Sequence, residues 1–259
     1  MSAPDADDVR LAGDVVRAAG RLAAAMRAEG VEGLAVAEKT SVSDVVTAAD
    51  HAAEDLVAGR LRTERPGDGL LGEEGVDEAG TTGRRWVIDP VDGTYNFLSG
   101  LTWWCSALAL LDGDELVLGA VYHPHEDALF VGGPGLPTTR DGQRLPRLTD
   151  VPLARTSAAT YFHPSALAGE AGRAFGRATG AVAAVRMLGS GSMDATAVAQ
   201  GRLGLVFQHS VPTWDELPGA ALVRGVGGTT RHEVVDGLDW YAAGAPTAVA
   251  EACAALAGR

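Results

Sequence analysis

Lysine is almost absent from this 259-residue chain: of its 21 basic residues only Lys39 is lysine, and the other 20 are arginine. The bias is compositional, and it singles out Lys39 for inspection. Cysteine is nearly as scarce. Cys105 and Cys253 stand far apart, with no zinc-ligand spacing and no disulfide framework, as suits a reducing cytoplasm. No uninterrupted apolar run approaches the roughly 20 residues of a membrane span. The segment from Met1 to Asp8 is acidic and lacks the basic and apolar regions of a signal peptide. A soluble, cytoplasmic protein without a membrane partner is therefore expected. Positive charge is also short: 34 acids face 21 bases, a net charge of −13. That argues against an electrostatic nucleic-acid binder, which would carry a basic face. The same field repels phosphate-bearing ligands unless bound cations reverse it locally. Internal repeats and low-complexity segments are missing too. The 46% apolar content is ordinary for a globular chain, long enough to bury a substantial core in one large domain or two smaller ones.

What is present centres on Trp86-Val87-Ile88-Asp89-Pro90-Val91-Asp92-Gly93-Thr94-Tyr95-Asn96-Phe97. Trp86 to Ile88 reads as a short strand that stops at Pro90, which has no N–H for a sheet ladder. Asp92-Gly93 then turns the chain. Two carboxylates three residues apart on such a turn can face one space. Each would raise the other's pKa unless a cation lay between them. Two acids and a turn carbonyl are hard oxygen ligands, better matched to Mg²⁺ than to Zn²⁺. A bare Asp-x-x-Asp is better read as side chains that merely cap backbone amides.

Along the chain, apolar spacing predicts an amphipathic helix from Asp8 to Glu29, closed by Gly30. A short hairpin from Glu38 to Val46 precedes a second helix that opens at Thr47-Ala48-Ala49-Asp50, reaches about Arg65 and breaks at Pro66-Gly67. Asp50 suits a helix N-terminus on its own account. Leu70-Leu71-Gly72-Glu73-Glu74 is a short buried strand ending in paired acids, and residues 75–85 read as a polar loop, either a lid or an ordinary connection. Strands follow at Trp103 to Leu111, Glu115 to Tyr122 and Ala128 to Val131, after a helical turn at Asn96 and Phe97. Free amides of Gly93 and Thr94 at that turn could face a phosphate. Of Trp103 and Trp104, at least one belongs to the core.

A Gly-, Pro- and Arg-rich stretch from Gly132 to Pro152 suggests a boundary near Asp141-Gly142, dividing residues 1–142 from 143–259. Beyond it, strands at Thr156 to Phe162 and Ala181 to Leu188 flank a helix from Gly169 to Ala178. Gly189-Ser190-Gly191-Ser192 leads into a helix from Met193 to Gln200, a turn of a kind that faces phosphate or hydroxyl groups but also joins many α/β units. A strand from Leu203 to Phe207 precedes Trp214-Asp215-Glu216-Leu217-Pro218-Gly219 at a helix start, with Pro218 tolerated in a first turn, and Thr247 to Leu256 is a final helix. The expected fold class is an α+β half followed by an α/β half.

Asp-Pro-Val-Asp-Gly-Thr-x-Asn-Phe resembles the signature of the inositol monophosphatase family, Mg²⁺-dependent, lithium-sensitive phosphatases. Asp44-Val45-Val46-Thr47-Ala48-Ala49-Asp50, Gly72-Glu73-Glu74 and Trp214-Asp215-x-x-Pro218-Gly219 resemble its other ordered motifs, and Lys39 stands where the family has a lysine. The resemblance covers nearly the whole chain. It implies a layered αβαβα sandwich, as in inositol monophosphatases and fructose bisphosphatases, and hydrolysis of a small phosphorylated metabolite. It implies two to three Mg²⁺ ions held by Glu73, Asp89, the Val91 carbonyl, Asp92 and Asp215, with Li⁺ inhibiting. Asp50, Thr94 and Glu73 would be catalytic. Gly93, Thr94, Gly189, Ser190, Gly191 and Gln208 would contact substrate, and a homodimer is implied. Gln208 falls where the family has a polyol-binding glutamate. A neutral amide there leaves histidinol phosphate, other sugar phosphates and bisphosphate nucleotides open beside inositol phosphate. Tyr95, Tyr161, Phe162 and His163 could shape the pocket. The alternative of another class is a non-catalytic regulatory or binding member of the family.

Overall fold

The computed structural model describes residues 4–30, 36–41 and 44–259, and of residues 38–41, 44, 45 and 165 the backbone alone. Helix α1 (Ala6–Ala28) starts two residues before Asp8, because Asp5 caps it by accepting from the Asp8 amide at 2.7 Å. Strands β1 (Ala37–Ser41) and β2 (Asp44–Val46) form the expected hairpin. Lys39 lies on β1, its side chain outside the described residues. Helix α2 (Ala48–Glu64) lies against α1, and Leu11, Val15, Ala19, Val57 and Leu61 pack with Trp86, Ile88, Leu108 and Leu110 of a sheet beneath them.

That sheet has eight strands: β3 (Gly69–Gly72), β4 (Asp77–Glu78), β5 (Arg84–Asp92), β6 (Cys105–Asp112), β7 (Glu115–His123), β8 (Ala128–Gly133), β9 (Leu136–Arg140) and β10 (Gln143–Arg144). Its order is β10-β9-β8-β7-β6-β5-β3-β4, antiparallel except for the β3–β5 pair. The 75–85 stretch is less of a loop than expected. It contributes β4 and the first residues of β5, and it is tied down by Arg62–Glu78, Arg85–Asp77 and Thr82–Asp68 contacts. Strand β6 starts at Cys105, not Trp103, and Gly132 to Pro152 holds β9 and β10.

The central strand does not stop at Pro90. From Asp89 to Asp92, β5 advances three residues while β6 advances two, from Ala107 to Cys105. This bulge removes the ladder bond Pro90 could not donate, and the Pro90 carbonyl instead accepts from Ser106 Oγ at 2.6 Å.

A second sheet follows the order β12-β11-β13-β15-β14: β11 (Ser157–Thr160), β12 (Ala184–Arg186), β13 (Leu205–His209), β14 (Thr229–Val235) and β15 (Leu238–Gly244). The first three are parallel, as alternating strands and helices predict. The β14–β15 hairpin, which the sequence reading passed over, adds an antiparallel edge, so this half is a mixed sheet. Helices α5 (Gly191–Ala199) and α6 (Thr213–Gly225) lie between the sheets, where Val87 and Ala109 meet Val198, Ala220, Val206 and Ala243. Helices α4 (Glu170–Gly180) and α7 (Pro246–Leu256) cover the outer face, packed on Phe162, Phe207 and Trp240. The layers therefore run helix, sheet, helix, sheet, helix. Pro218 is the sixth residue of α6, past the first turn, where it removes one helical hydrogen bond to the Trp214 carbonyl. No helix among the described residues is long and apolar enough to cross a membrane.

Candidate active site

The C-terminal end of β5 carries the acids. Asp89 is fully buried, and neither carboxylate oxygen receives a hydrogen bond from any donor among the described residues. Asp89, Asp92 and Asp215 each offer an oxygen within 4.8 Å of the others. Burial, then the charges of Glu73, Asp92 and Asp215, hold the Asp89 carboxyl well above the ordinary carboxylate range. Glu73 lines the same cavity just outside that tight group. Its position is set from behind: buried Glu54 of α2 accepts from the Glu74 and Val76 amides at 2.9 and 3.0 Å. Gly72 has to be glycine here, since a Cβ would sit 2.2 Å from Glu54 Oε2.

Asp92 is held quite differently. Its Oδ1 accepts from the Gly191 amide at 3.1 Å and its Oδ2 from the Ser192 amide at 2.5 Å. An acid of the first sheet thus closes the N-terminus of α5, a position favoured by the helix dipole. Burial raises Asp92 to about 6, while those bonds resist the rise. Ser190 is the N-cap of α5 and its Oγ accepts from the Met193 amide. Asp215 sits in the first turn of α6, between the sheets.

Asp50 serves both readings the sequence left open. It completes a capping box at the start of α2, where the Thr47 amide and hydroxyl donate to its Oδ2 and the Ala49 amide donates to Thr47 Oγ1. Its Oδ1 lies 3.1 Å from Thr94 Oγ1, which is also 3.0 Å from the Val91 carbonyl. That hydroxyl can donate to only one of them at a time. Burial raises Asp50 against the lowering effect of the Thr47 and Thr94 bonds. Gly93 adopts the left-handed φ of +96° at the head of α3 (Thr94–Leu98), where a side chain would be strained.

One cavity of about 490 Å³ collects Glu73, Asp89, Val91, Asp92, Gly93 and Thr94 with Gly189, Ser190, Gly191, Gln208 and Asp215. The residues the resemblance implies as metal, catalytic or substrate contacts thus meet there except Asp50, which reaches it through Thr94. Tyr95, Tyr161 and His163 line the outer part, whereas Phe162 is core, stacked on Phe175. Trp104 is core against Phe97, while Trp103 Nε1 donates to Asp194 at 2.9 Å.

Three supporting residues escaped the sequence reading. Asn96 Nδ2 donates to the Trp103 and Leu188 carbonyls at 2.8 and 2.6 Å and ties the motif to the turn before α5. A signal existed: Asn96 is the chain's only asparagine. Asp194, buried on α5 and pushed up to about 8 by burial, and Glu54 carried no local signal, because each is an acid on an otherwise ordinary helix.

The donor set suits a hard divalent cation. It contains only oxygens, it concentrates like charge, and the two Asp89 oxygens lack any other partner that would neutralise them. The family model described as the inositol monophosphatase family matches residues 8–252. The chain belongs to that family. A curated member, the inositol-1-monophosphatase of Rhizobium meliloti, is 34% identical over 195 residues, 72% of this chain and 71% of that protein. The fructose-1,6-bisphosphatase/inositol-1-monophosphatase of Thermotoga maritima is 28% identical over 193 residues, covering 74% and 73%. Among solved structures, the extragenic suppressor protein SuhB of Bartonella henselae superposes with a TM-score of 0.88 at 25% identity, covering 97% of this chain and 98% of that one. The five-layer arrangement is the fold of inositol monophosphatase structures.

Proposed function

We propose that this family member is a phosphatase that hydrolyses a small phosphate monoester with water as nucleophile and Mg²⁺ as cofactor. The observation that carries this reading is the buried, donor-free Asp89 within 4.8 Å of Asp92 and Asp215. Glu73, Asp89 and the Val91 carbonyl would hold one ion, and Asp89, Asp92 and Asp215 a second, with a third, weaker ion near Glu73. The chemistry supplied there is polarisation of the phosphoryl group, a lower pKa for the attacking water and neutralisation of the leaving oxygen. The chain's own residues do the rest. The Thr94 hydroxyl, backed by Asp50, orients the attacking water. The raised proton affinity of Asp50 suits it to take up the proton. Gly93 and Thr94, facing the turn at Gly189, Ser190 and Gly191, would seat the phosphoryl group. Gln208 offers a neutral donor and acceptor to the alcohol.

For the alcohol, the outer cavity favours something less polar than a compact polyol. Tyr95, Tyr161 and Met187 line it while 49%, 40% and 51% exposed. Inositol phosphate remains the family's expectation, with ring-bearing esters such as histidinol phosphate or nucleotides as the reading these residues support. Homodimerisation, lithium inhibition, a cytoplasmic location and a two-unit division near residue 142 belong to the same proposal.

The test is phosphate release from inositol phosphate, histidinol phosphate, fructose bisphosphate and a bisphosphate nucleotide, with and without Mg²⁺, in wild type and Asp92→Asn. Mg²⁺-dependent turnover abolished by Asp92→Asn is expected. A folded chain that neither binds Mg²⁺ nor turns over any ester would replace this reading with the non-catalytic one.

A further inference from the structure

A second cavity, of about 380 Å³, opens at the other end of α5 and has the opposite chemistry. Arg147, Arg155 and Arg202 line it, and no carboxylate does. Several other arginines of this acidic chain carry acid partners, as in Arg60–Glu64, Arg65–Asp8 and Arg140–Glu126. These three guanidinium groups make no hydrogen bond or ion pair with any described residue. Acids on neighbouring segments are committed to other donors instead. Asp150 accepts from the Thr247 amide and hydroxyl at 2.8 and 2.7 Å, and Glu251 from the Leu153 amide at 2.7 Å.

Three permanent positive charges around one hollow repel each other and focus a positive potential that no protein group cancels. All three arginines are exposed, so water bears most of that repulsion, and the neighbouring acids point elsewhere. The C-terminal end of α5 borders the hollow, and there the Thr196, Ala197 and Val198 carbonyls accept from the Gln200, Arg202 and Gly201 amides. Those bonds reduce, without removing, the negative charge at this helix end, and the three guanidinium groups outweigh it. Thr149 and Ser157 add hydroxyls to the lining.

We infer that this cavity is a binding site for a small phosphoryl anion, separate from the acidic cavity and needing no metal. Guanidinium forks match phosphoryl oxygens in pairs, and three of them suit a dianion or a larger anion. The site stands whether or not the chain proves to be a phosphatase.

Isothermal titration of the metal-stripped full chain with inorganic pyrophosphate and with inorganic phosphate, at low ionic strength, tests it. Without metal the acidic cavity repels both probes, so heat reports the arginine site. The expected result is one saturable site per chain, shared by the two probes and weakened as salt rises. Arg147→Gln/Arg155→Gln/Arg202→Gln should weaken binding by at least about tenfold, and Arg202→Gln alone by less, because charge-assisted contacts are lost in turn. The control pair Arg17→Gln/Arg144→Gln, also in no ion pair with a described residue, should bind as wild type does. No saturable binding by wild type, an unchanged affinity in the triple variant, or an equal loss in the control pair would each overturn the inference.

Discussion

Asp8 and Asp89 are both buried acids, 2% and 0% exposed, and the fold treats them in opposite ways. Asp8, on α1, receives Arg65 Nε at 2.9 Å on one oxygen and Arg84 Nη2 at 2.5 Å on the other. It joins the first helix to the end of α2 and the start of β5. Asp89, on the same strand β5, has no cation and no donor among the described residues, only other acids. A carboxylate buried for structure is neutralised by its neighbours, because burying an unpaired charge is expensive. One left without a partner stores that cost for something that arrives later. Asp92 lies between these extremes: helix amides hold it, yet it keeps the company of the cluster.

The sharpest way to break this contrast is Asp89→Asn. Phosphate release should fall a hundred- to thousandfold, in the range seen when one electrostatic stabiliser is removed. The metal-free protein should at the same time melt at a higher temperature, because repulsion with Glu73, Asp92 and Asp215 is relieved. Wild type should gain about 2.7 kcal/mol at Mg²⁺ a hundredfold above its Kd, and the variant much less. Thermal melts with and without Mg²⁺ read both effects, and a destabilised metal-free Asp89→Asn would end the contrast.

Asp8→Ala should do the reverse. Stripping Arg65 and Arg84 of their shared acid should cost about 3 kcal/mol, roughly 6–12 °C in Tm, with turnover of the folded enzyme unchanged. A loss of kcat without a loss of Tm would contradict it.

A smaller effect concerns pH. Asp194 has a folded pKa raised to about 8, against 3.8 for the unfolded chain. The unfolded chain therefore releases this proton first, and stability falls as pH rises through that window. Asp194→Asn should remove this part of the slope, so its Tm relative to wild type should climb between pH 4 and pH 8. A constant difference across that range would show that Asp194 ionises normally.

The smallest effect probes the outer cavity. Tyr161→Ala should raise KM for a ring-bearing ester about threefold to tenfold, the worth of one aromatic contact, and leave KM for glycerol 2-phosphate alone. Equal changes for both esters would remove Tyr161 from alcohol recognition.

Much of this was legible along the chain. Helix α1 announced itself through apolar spacing, α2 through its opening at Thr47 to Asp50 and its break at Pro66-Gly67, and the acids through short motifs whose chemistry is local. What misled was also local. Pro90 looked like a strand end because the bulge that accommodates it depends on the register of β6. Residues 75–85 looked loose because their anchors, Gly67, Asp68 and Arg62, lie elsewhere in the sequence. The β14–β15 hairpin was missed because Thr229 to Val235 is largely polar and finds its place at a sheet edge.

By itself the sequence determined where the carboxylates stand, where the turns that present them fall and which family the chain resembles, since these depend on residues within a few positions of one another. Only the tertiary structure decided that Asp92 is clamped by amides about 100 residues away, that Glu54 braces Glu73, and that Asp89 is left with no donor. Whether a buried charge has a partner depends on every element packed around it. That information exists only once the two sheets have closed on α5 and α6.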